Sequence, residues 1–336
     1  MDLTRRLRRK NEFDANLAIG ARQFNLATGR DRHLRQRAQR QDRFTDPATG
    51  LLREELGVSR VCPVCEGREH KPFLTKAGFR YVKCSSCGMV YVNPVLKKES
   101  AHLFYENEDS YTQVLLNDLQ LSLDRKKFQY GLDLLEEYLP RKGKMLDVGC
   151  GPGVFLEEAK KRDWLVQGVE FNKRCVQRLK EMKIETASLP LEEANFSADT
   201  FQCVSLWTVL EHIVEPRPFL RIIHNILAPG GLILIFVPNI DSLALRILQE
   251  KSACFAGESH VNFFSAATLS RLLKETGFEV VECESALTEL GAVNNYLNFE
   301  DPYFGEAKQA LDFLTPDYIH ERMLGYCLLS LARVGK

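Results

Sequence analysis

The stretch Lys144-Met145-Leu146-Asp147-Val148-Gly149-Cys150-Gly151-Pro152-Gly153 constrains this chain more than any other. A short apolar run ends in an acid and then places a glycine at every second position. The following Val154-Phe155-Leu156-Glu157-Glu158-Ala159 reads as helix. The pattern predicts a buried parallel strand whose C-terminal turn lets a bound molecule approach bare backbone, since only glycine takes positive φ freely and carries no Cβ to clash. The helix after the turn directs its unpaired N–H groups at the ligand, and Asp147 stands where a carboxylate can grip an amine or a hydroxyl. The alternative is a tight glycine turn with no ligand.

The spacing separates this turn from the GxGxxG of dinucleotide-binding folds. Gly149, Gly151 and Gly153 follow GxGxG after an acid, a pattern similar to motif I of the class I S-adenosylmethionine-dependent methyltransferases. Further on, Trp164 to Phe171 reads as a second apolar strand that ends in Glu170, and an acid there commonly holds a ribose diol. The two features together favour an adenosine-type ligand over an empty turn.

The chain has 336 residues, 45% of them hydrophobic and 27% charged, which allows one large domain with an appendage or two domains. Forty-five basic residues balance 45 acidic ones, so net charge selects no partner. Its distribution is uneven, because residues 1–43 hold 12 Lys or Arg against five acids. No apolar run approaches the ~18 residues of a membrane span. The basic N-terminus lacks the apolar stretch of a signal peptide. Ten cysteines fit a metal site plus core thiols better than disulfides, and a cytoplasmic location is expected.

Residues 1–50 are expected to form a basic helical or partly disordered arm, either for nucleic acid or as a solvated helix pair. Residues 58–93 are expected to form a zinc ribbon. Cys62-Pro63-Val64-Cys65 and Cys84-Ser85-Ser86-Cys87 are two CxxC knuckles separated by 18 residues. Each puts two thiolates on one turn, and four protein ligands close the shell, so this zinc is structural rather than catalytic. A thioredoxin-like redox pair is the alternative, disfavoured by the second knuckle. Residues 94–143 read as a helical connector or cap in which Tyr105 and Tyr111 could line a cofactor mouth.

From 144 to 336, strands and helices alternate, the signature of an α/β doubly wound sheet. Lid segments are expected near 241–264 and 287–322, the latter irregular. With these elements placed, residues 61–286 resemble the bacterial class I methyltransferases that carry an N-terminal zinc ribbon. The landmarks are the ribbon, Leu146 to Gly153, Gly168-Val169-Glu170, Leu206 to His212, Pro229-Gly230-Gly231, Val237-Pro238-Asn239 and His260 to Ser265. The resemblance implies a seven-stranded, mostly parallel sheet (Rossmann-like methyltransferase fold) with one antiparallel edge strand, and methyl transfer from S-adenosylmethionine. It places Asp147, Gly149, Gly151, Glu170 and the 189–192 loop around the cofactor, with Cys150, Gly153, Phe171, Leu191 and Trp207 counted among the lining residues. Gln202 stands where that family usually has an acid, a structural position.

Methyl transfer from a sulfonium is an in-line displacement in which positioning supplies much of the rate. An oxygen or carbon nucleophile also needs its proton removed by a base or its pKa lowered by a metal. His212, with Glu211 beside it, and His260 fall at strand ends that open toward the methyl group and are the candidate bases. Each could instead be a satisfied polar residue that caps a helix or buttresses a loop. Ubiquinone-pathway O-methyltransferases and small-RNA 2′-O-methyltransferases carry ExxEH and a later histidine that hold a divalent metal. Here Glu211-His212 and His260 match, but Thr208 replaces the first glutamate. A second divalent metal is thus a possible cofactor.

The leading expectation is a methyltransferase for a small molecule, lipid-linked sugar or surface-glycan precursor, with O-methylation favoured over C-methylation of a keto sugar. An RNA methyltransferase that uses the arm and the ribbon is the second reading, and a non-catalytic cofactor-binding scaffold the third. The acceptor and the oligomeric state are left open by the sequence.

Overall fold

The computed structural model describes residues 2–40, 43–98, 109–306, 311 and 313–335. Tyr105 lies outside the described residues. Four helices open the chain: α1 (Leu3–Glu12), α2 (Ala15–Ala18), α3 (Ala21–Thr28) and α4 (Arg30–Arg40). Five short strands follow: β1 (Gly57–Val58), β2 (His70–Lys76), β3 (Phe79–Cys84), β4 (Val90–Val92) and β5 (Val95–Leu96). Helices α5 (Asp109–Leu115) and α6 (Asp118–Tyr138) lead into the large sheet. Asn117 starts α6 by accepting the N–H groups of Leu119 and Gln120 on its side chain.

The remaining elements are β6 (Lys144–Val148), α7 (Val154–Lys160), β7 (Leu165–Val169), α8 (Lys173–Glu181), β8 (Glu185–Ala187), β9 (Phe201–Trp207), α9 (Pro216–Ile226) and β10 (Leu227–Pro238). They continue with α10 (Leu243–Leu248), β11 (Asn262–Phe263), α11 (Ala266–Glu275), β12 (Phe278–Ala286), α12 (Leu290–Leu297), α13 (Pro316–Glu321) and β13 (Cys327–Val334). The sheet order is β12-β13-β10-β9-β6-β7-β8. This is the expected Rossmann-like methyltransferase sheet, mostly parallel and seven-stranded. One detail is corrected: the antiparallel strand is β13, and it lies between β10 and β12 rather than at an edge.

Both faces of the sheet are covered, which is why its central strands read as near-continuous apolar runs. Leu146, Val148, Val204, Leu206, Ile233 and Ile235 point to one layer, with α9, α11 and the cysteine knuckles. Met145, Cys203, Leu232 and Leu234 point to the other, with α6 and α7. Ser265 caps α11 through a reciprocal pair with Thr268.

Two expected lids have other structures. The 287–322 segment is not irregular throughout, since it carries α12 and α13. The 241–264 segment is tied down: β11 pairs with β4 to give a second sheet of order β11-β4-β3-β2. Cys254, Phe255, Val261 and Phe263 are buried there with Phe79 and Tyr81.

The basic N-terminal residues are docked rather than extended as an arm. Arg6 donates to Glu282 at 2.9 Å and to Glu137 at 3.0 Å, and Arg9 pairs with Asp133. The buried Lys10 ammonium donates to the Ser285 carbonyl at 3.1 Å and lies 3.6 Å from Glu284. Asp14 accepts from the N–H and hydroxyl of Thr288, both at 2.6 Å. Phe13 sits in the core against Tyr130. Much of the charge that suggested a polyanion-binding arm is matched by acids of this chain.

Candidate functional site

Strand β6 ends at Val148, and the glycine turn is pinned to the neighbouring strand: Gly149 and Cys150 both donate N–H to the Val169 carbonyl, at 2.8 and 3.1 Å. Gly151 has φ 52 with no atom within 4 Å of where a Cβ would be, so the turn presents bare backbone to open space. Its N–H donates to Glu170 Oε2 at 2.7 Å. The other Glu170 oxygen accepts the N–H groups of Phe171 and Asn172 at 2.7 and 2.8 Å. One carboxylate thereby ties the glycine turn to the end of β7. Helix α5 closes this side, because Asn172 donates to the Thr112 hydroxyl at 2.8 Å. Tyr111 of the same helix packs on the ring of His33.

Asp147 is buried between β6 and β9 and accepts the Ser205 hydroxyl at 2.7 Å. Burial pushes its carboxyl up to about 8, Ser205 opposes that rise, and the Glu170 charge adds to it. A cation placed in the cradle would bring it back down.

Other expected lining residues turn elsewhere. A Cβ at Gly153 would meet Leu179 at 2.4 Å, so this glycine serves the packing of α7 on α8 rather than a ligand. The Cys150 side chain is buried against Gly168, and burial raises its thiol far above the usual range. Leu191 is 3% exposed and belongs to the core, whereas Leu189 is 50% exposed and Phe171 58%. Trp207 is corrected as well: its indole lies in an aromatic cluster with Phe128, Phe155 and Phe236, at centroid distances of 4.8, 5.3 and 5.4 Å.

The second focus follows β9. Thr208 has φ 54, a strained value for a β-branched residue and one that clusters at functional sites. The chain then makes a 3-10 turn, Leu210–His212. Glu211 is fully buried, and neither carboxylate oxygen has a hydrogen-bond partner among the described residues. Burial pushes this carboxyl up to about 8. The turn meets the segment before β11, where Val261 donates N–H to the Glu211 carbonyl at 2.8 Å.

This meeting brings His260 to His212, with ring centroids 4.8 Å apart and nearly perpendicular planes. His212 Nδ1 lies 3.1 Å from the Ser259 carbonyl, and His260 Nδ1 lies 3.0 Å from the Cys254 carbonyl. A carbonyl only accepts, so both rings carry the proton on Nδ1 and leave Nε2 as a lone pair. Burial lowers His212 to about 4 and His260 well below its usual range, with the Arg37 charge adding to both shifts. One ligand atom from each of Glu211, His212 and His260 lies within 4.8 Å of the others. Thr208 does not join them, since its hydroxyl donates to the Trp207 carbonyl. Imidazoles oriented through Nδ1–H···O=C beside an unpartnered carboxylate match the donor set and outer contacts of a divalent-cation site.

Residues 121–283 match the family described as methyltransferase domain. These residues form a methyltransferase domain. That match supports S-adenosylmethionine as the methyl donor, and the sheet order is that of the Rossmann-like methyltransferase fold. The chain is 25% identical over 156 residues to an uncharacterized protein of Methanocaldococcus jannaschii, a match that covers 46% of this chain and 74% of that one. It is 28% identical over 198 residues to the mitochondrial ubiquinone biosynthesis O-methyltransferase of Homo sapiens, covering 54% of each. The chain thus spans about half the length of that human enzyme. Among solved structures, the Burkholderia thailandensis 1,6-didemethyltoxoflavin-N1-methyltransferase aligns with a TM-score of 0.48 at 14% identity, over 79% of this chain and 100% of that one. Among the described residues of the methyltransferase no helix is long and apolar enough to cross a membrane.

The four knuckle cysteines of the methyltransferase converge. Cys62 Sγ is 3.5 Å from Cys87 Sγ, and Cys65 Sγ is 3.5 Å from Cys84 Sγ. A tetrahedral zinc with bonds of ~2.3 Å requires sulfurs about 3.8 Å apart, so the cluster fits that ion. Burial works against ionisation of Cys84, but the N–H groups of Cys87 and Ser86 outweigh it and bring the thiol down to about 7.

Sequence reasoning missed Ser205, Ser259, Cys254 and the strain at Thr208. Two of these act through backbone carbonyls, for which residue type carries no signal. The Glu211-His212 half of the ExxEH pattern pointed to this turn but not to what orients its histidine.

Proposed function

We propose that this methyltransferase O-methylates a small acceptor (a small molecule, a lipid-linked sugar or a surface-glycan precursor), with Glu211, His212 and His260 holding a divalent cation at the reacting hydroxyl. The observation that carries this reading is the convergence of two Nδ1-protonated imidazoles on a buried carboxylate whose oxygens lack partners. The human relative named as an O-methyltransferase supports the same class of acceptor atom. A cation in that position supplies positive charge that lowers the pKa of an acceptor hydroxyl.

The rest of the work belongs to the chain. The glycine turn and Glu170 hold the adenosine end, Asp147 faces the cationic part of the cofactor, and the neighbouring ends of β6 and β9 set donor and acceptor side by side for in-line displacement. Cys62, Cys65, Cys84 and Cys87 hold a structural zinc.

The test incubates purified protein with methyl-labelled S-adenosylmethionine and fractionated lysate, with and without RNase, and with EDTA followed by Mg²⁺. Zinc content is checked throughout. RNase-resistant label in a small-molecule, lipid or glycan fraction, lost with EDTA and restored by Mg²⁺, is the expected result. Label that disappears with RNase moves the function to RNA. Label indifferent to EDTA leaves His212 or His260 as a base without metal. Cofactor binding with no label in any fraction identifies a scaffold.

A further inference from the structure

The ribbon and the histidine pair meet at one side chain that neither motif includes. Arg60 lies two residues before the first knuckle cysteine. Its Nε donates to the Val92 carbonyl of β4 at 3.1 Å, and its own N–H donates to Asn93 Oδ1 at 3.0 Å. The outer nitrogens cross to the methyltransferase domain. Nη1 donates to the Val214 carbonyl at 2.8 Å, and Nη2 donates to the Val261 carbonyl at 2.5 Å and to Asn262 Oδ1 at 3.0 Å. The guanidinium also lies over the Tyr91 ring of β4, 5.3 Å from its centroid.

Each crossing contact lands beside a member of the cluster. Val214 is two residues past His212, Val261 follows His260, and Asn262 is next. Asn262 carries the connection onward, as its Nδ2 donates to the Ile213 carbonyl at 2.7 Å and to the Leu210 carbonyl at 3.3 Å. Both carbonyls flank the turn that presents Glu211 and His212. The backbone adds a parallel link, with Val92 N–H donating to the Val261 carbonyl at 3.0 Å and Val261 N–H to the Glu211 carbonyl at 2.8 Å. The segment 260–263 is thereby stitched to the ribbon on one side and to the 210–212 turn on the other.

We infer that Arg60 is a positioning residue through which the ribbon sets His260 in register with Glu211 and His212, so that the ribbon is a working part of the acceptor end and not only an appended stabilising module. An arginine suits this role because its fixed fork serves several carbonyls at once, which a lysine ammonium cannot match in geometry. This inference rests on Glu211, His212 and His260 being the working cluster.

The test uses full-length protein labelled with ¹⁵N-histidine, in which long-range imidazole spectra report the tautomer of each ring without metal or acceptor. In the wild type, His212 and His260 (assigned through His212→Gln and His260→Gln) are expected as single Nδ1–H tautomers. In Arg60→Met both are expected to shift and to show mixed tautomers, while zinc stays at one per chain and the Kd for S-adenosylhomocysteine stays within twofold. Arg60→Lys should recover the wild-type spectrum in part. Asn262→Ala cuts the same connection without touching the ribbon, so it should reproduce the Arg60→Met spectrum even if Arg60→Met loses zinc. Unmoved His212 and His260 signals in both Arg60→Met and Asn262→Ala would overturn the inference. A separate Mn²⁺ titration of the zinc-loaded wild type reads the metal proposal: absence of Mn²⁺ binding would overturn that proposal and leave the spectra to decide the role of Arg60.

Discussion

The glycine cradle and the Glu211–His212–His260 cluster sit at the ends of paired strands, β6 and β9, yet they are assembled in opposite ways. The cradle is local. Asp147, Gly151 and Glu170 lie within one β-α-β unit, and apart from the bond from Ser205 of β9 to Asp147 their contacts run between β6, β7 and the turns after them. The cluster is assembled from afar: the 210–212 turn supplies two members, the 254–260 segment supplies the third and its carbonyl supports, and the ribbon holds that segment through β4 and Arg60. The fold can therefore keep a bound cofactor while losing the geometry that uses it. The two regions should fail independently.

The largest effect expected is on methyl transfer. His260→Ala and Glu211→Gln should each reduce transfer of labelled methyl by roughly 10³-fold, about 4 kcal/mol of transition-state stabilisation. The Kd for S-adenosylhomocysteine, read by calorimetry, should stay within about twofold. A parallel fall in cofactor affinity would show that the two regions are not separable.

Next comes the ribbon. Cys84→Ser removes one of four converging thiols, and a three-thiolate remnant holds zinc poorly. Limited proteolysis should then cut within residues 62–92, and methyl transfer should fall at least tenfold. Cofactor binding should persist, since the cradle touches no ribbon residue through its described hydrogen bonds. Persistence of both protease resistance and activity in the zinc-free variant would remove the ribbon from the acceptor end.

This division also explains what could be read from the chain alone. The cradle was legible because Asp147, the glycines and Glu170 fall within one β-α-β unit of the sequence and the chemistry needs those residue types. Gly153 was counted with it as the third glycine of the motif and Leu191 as part of the 189–192 loop; the surroundings of each are set by Leu179 and by the core, which no spacing rule sees. Trp207 sits at a strand end that should face ligand, but the helix opposite carries Gly131, where a Cβ would lie 2.6 Å from the indole, and that gap draws the ring inward. The arginines of α1 look like a free basic face until Glu137, Glu282 and Glu284 are brought beside them. Pairing over such separations depends on tertiary structure, and so does the support of His212 and His260 by carbonyls.

A pH series tests the cradle through Asp147. The folded carboxyl of Asp147 sits at about 8 against 3.8 for the ordinary group. A raised acid is held protonated by the fold, so its ionisation costs the empty protein stability as pH rises from about 4 to about 8. A cationic ligand relieves that cost. S-adenosylmethionine affinity should therefore rise with pH up to about 8, by as much as tenfold per unit relative to Asp147→Asn, and then level off. Calorimetric titration of both proteins between pH 6 and 9 reads the difference, and equal slopes would remove Asp147 from the cofactor.

The smallest effects separate two glycines that the motif treats alike. Gly151→Ala places a Cβ in open space at φ 52, so the folded protein should lose only about 1 kcal/mol, while the methyl group intrudes where the cofactor must approach. Its Kd for S-adenosylhomocysteine should rise roughly fivefold to tenfold. Gly153→Ala should do the reverse, because its Cβ meets Leu179 and the strain falls on the α7–α8 packing, at roughly 2 kcal/mol of stability with the Kd within twofold. Chemical denaturation and calorimetry on the two variants give four numbers, and only the crossed pattern is consistent with one glycine serving the ligand and the other the core. If both variants weakened binding alike, the boundary of the cradle would have to be extended to the start of α7.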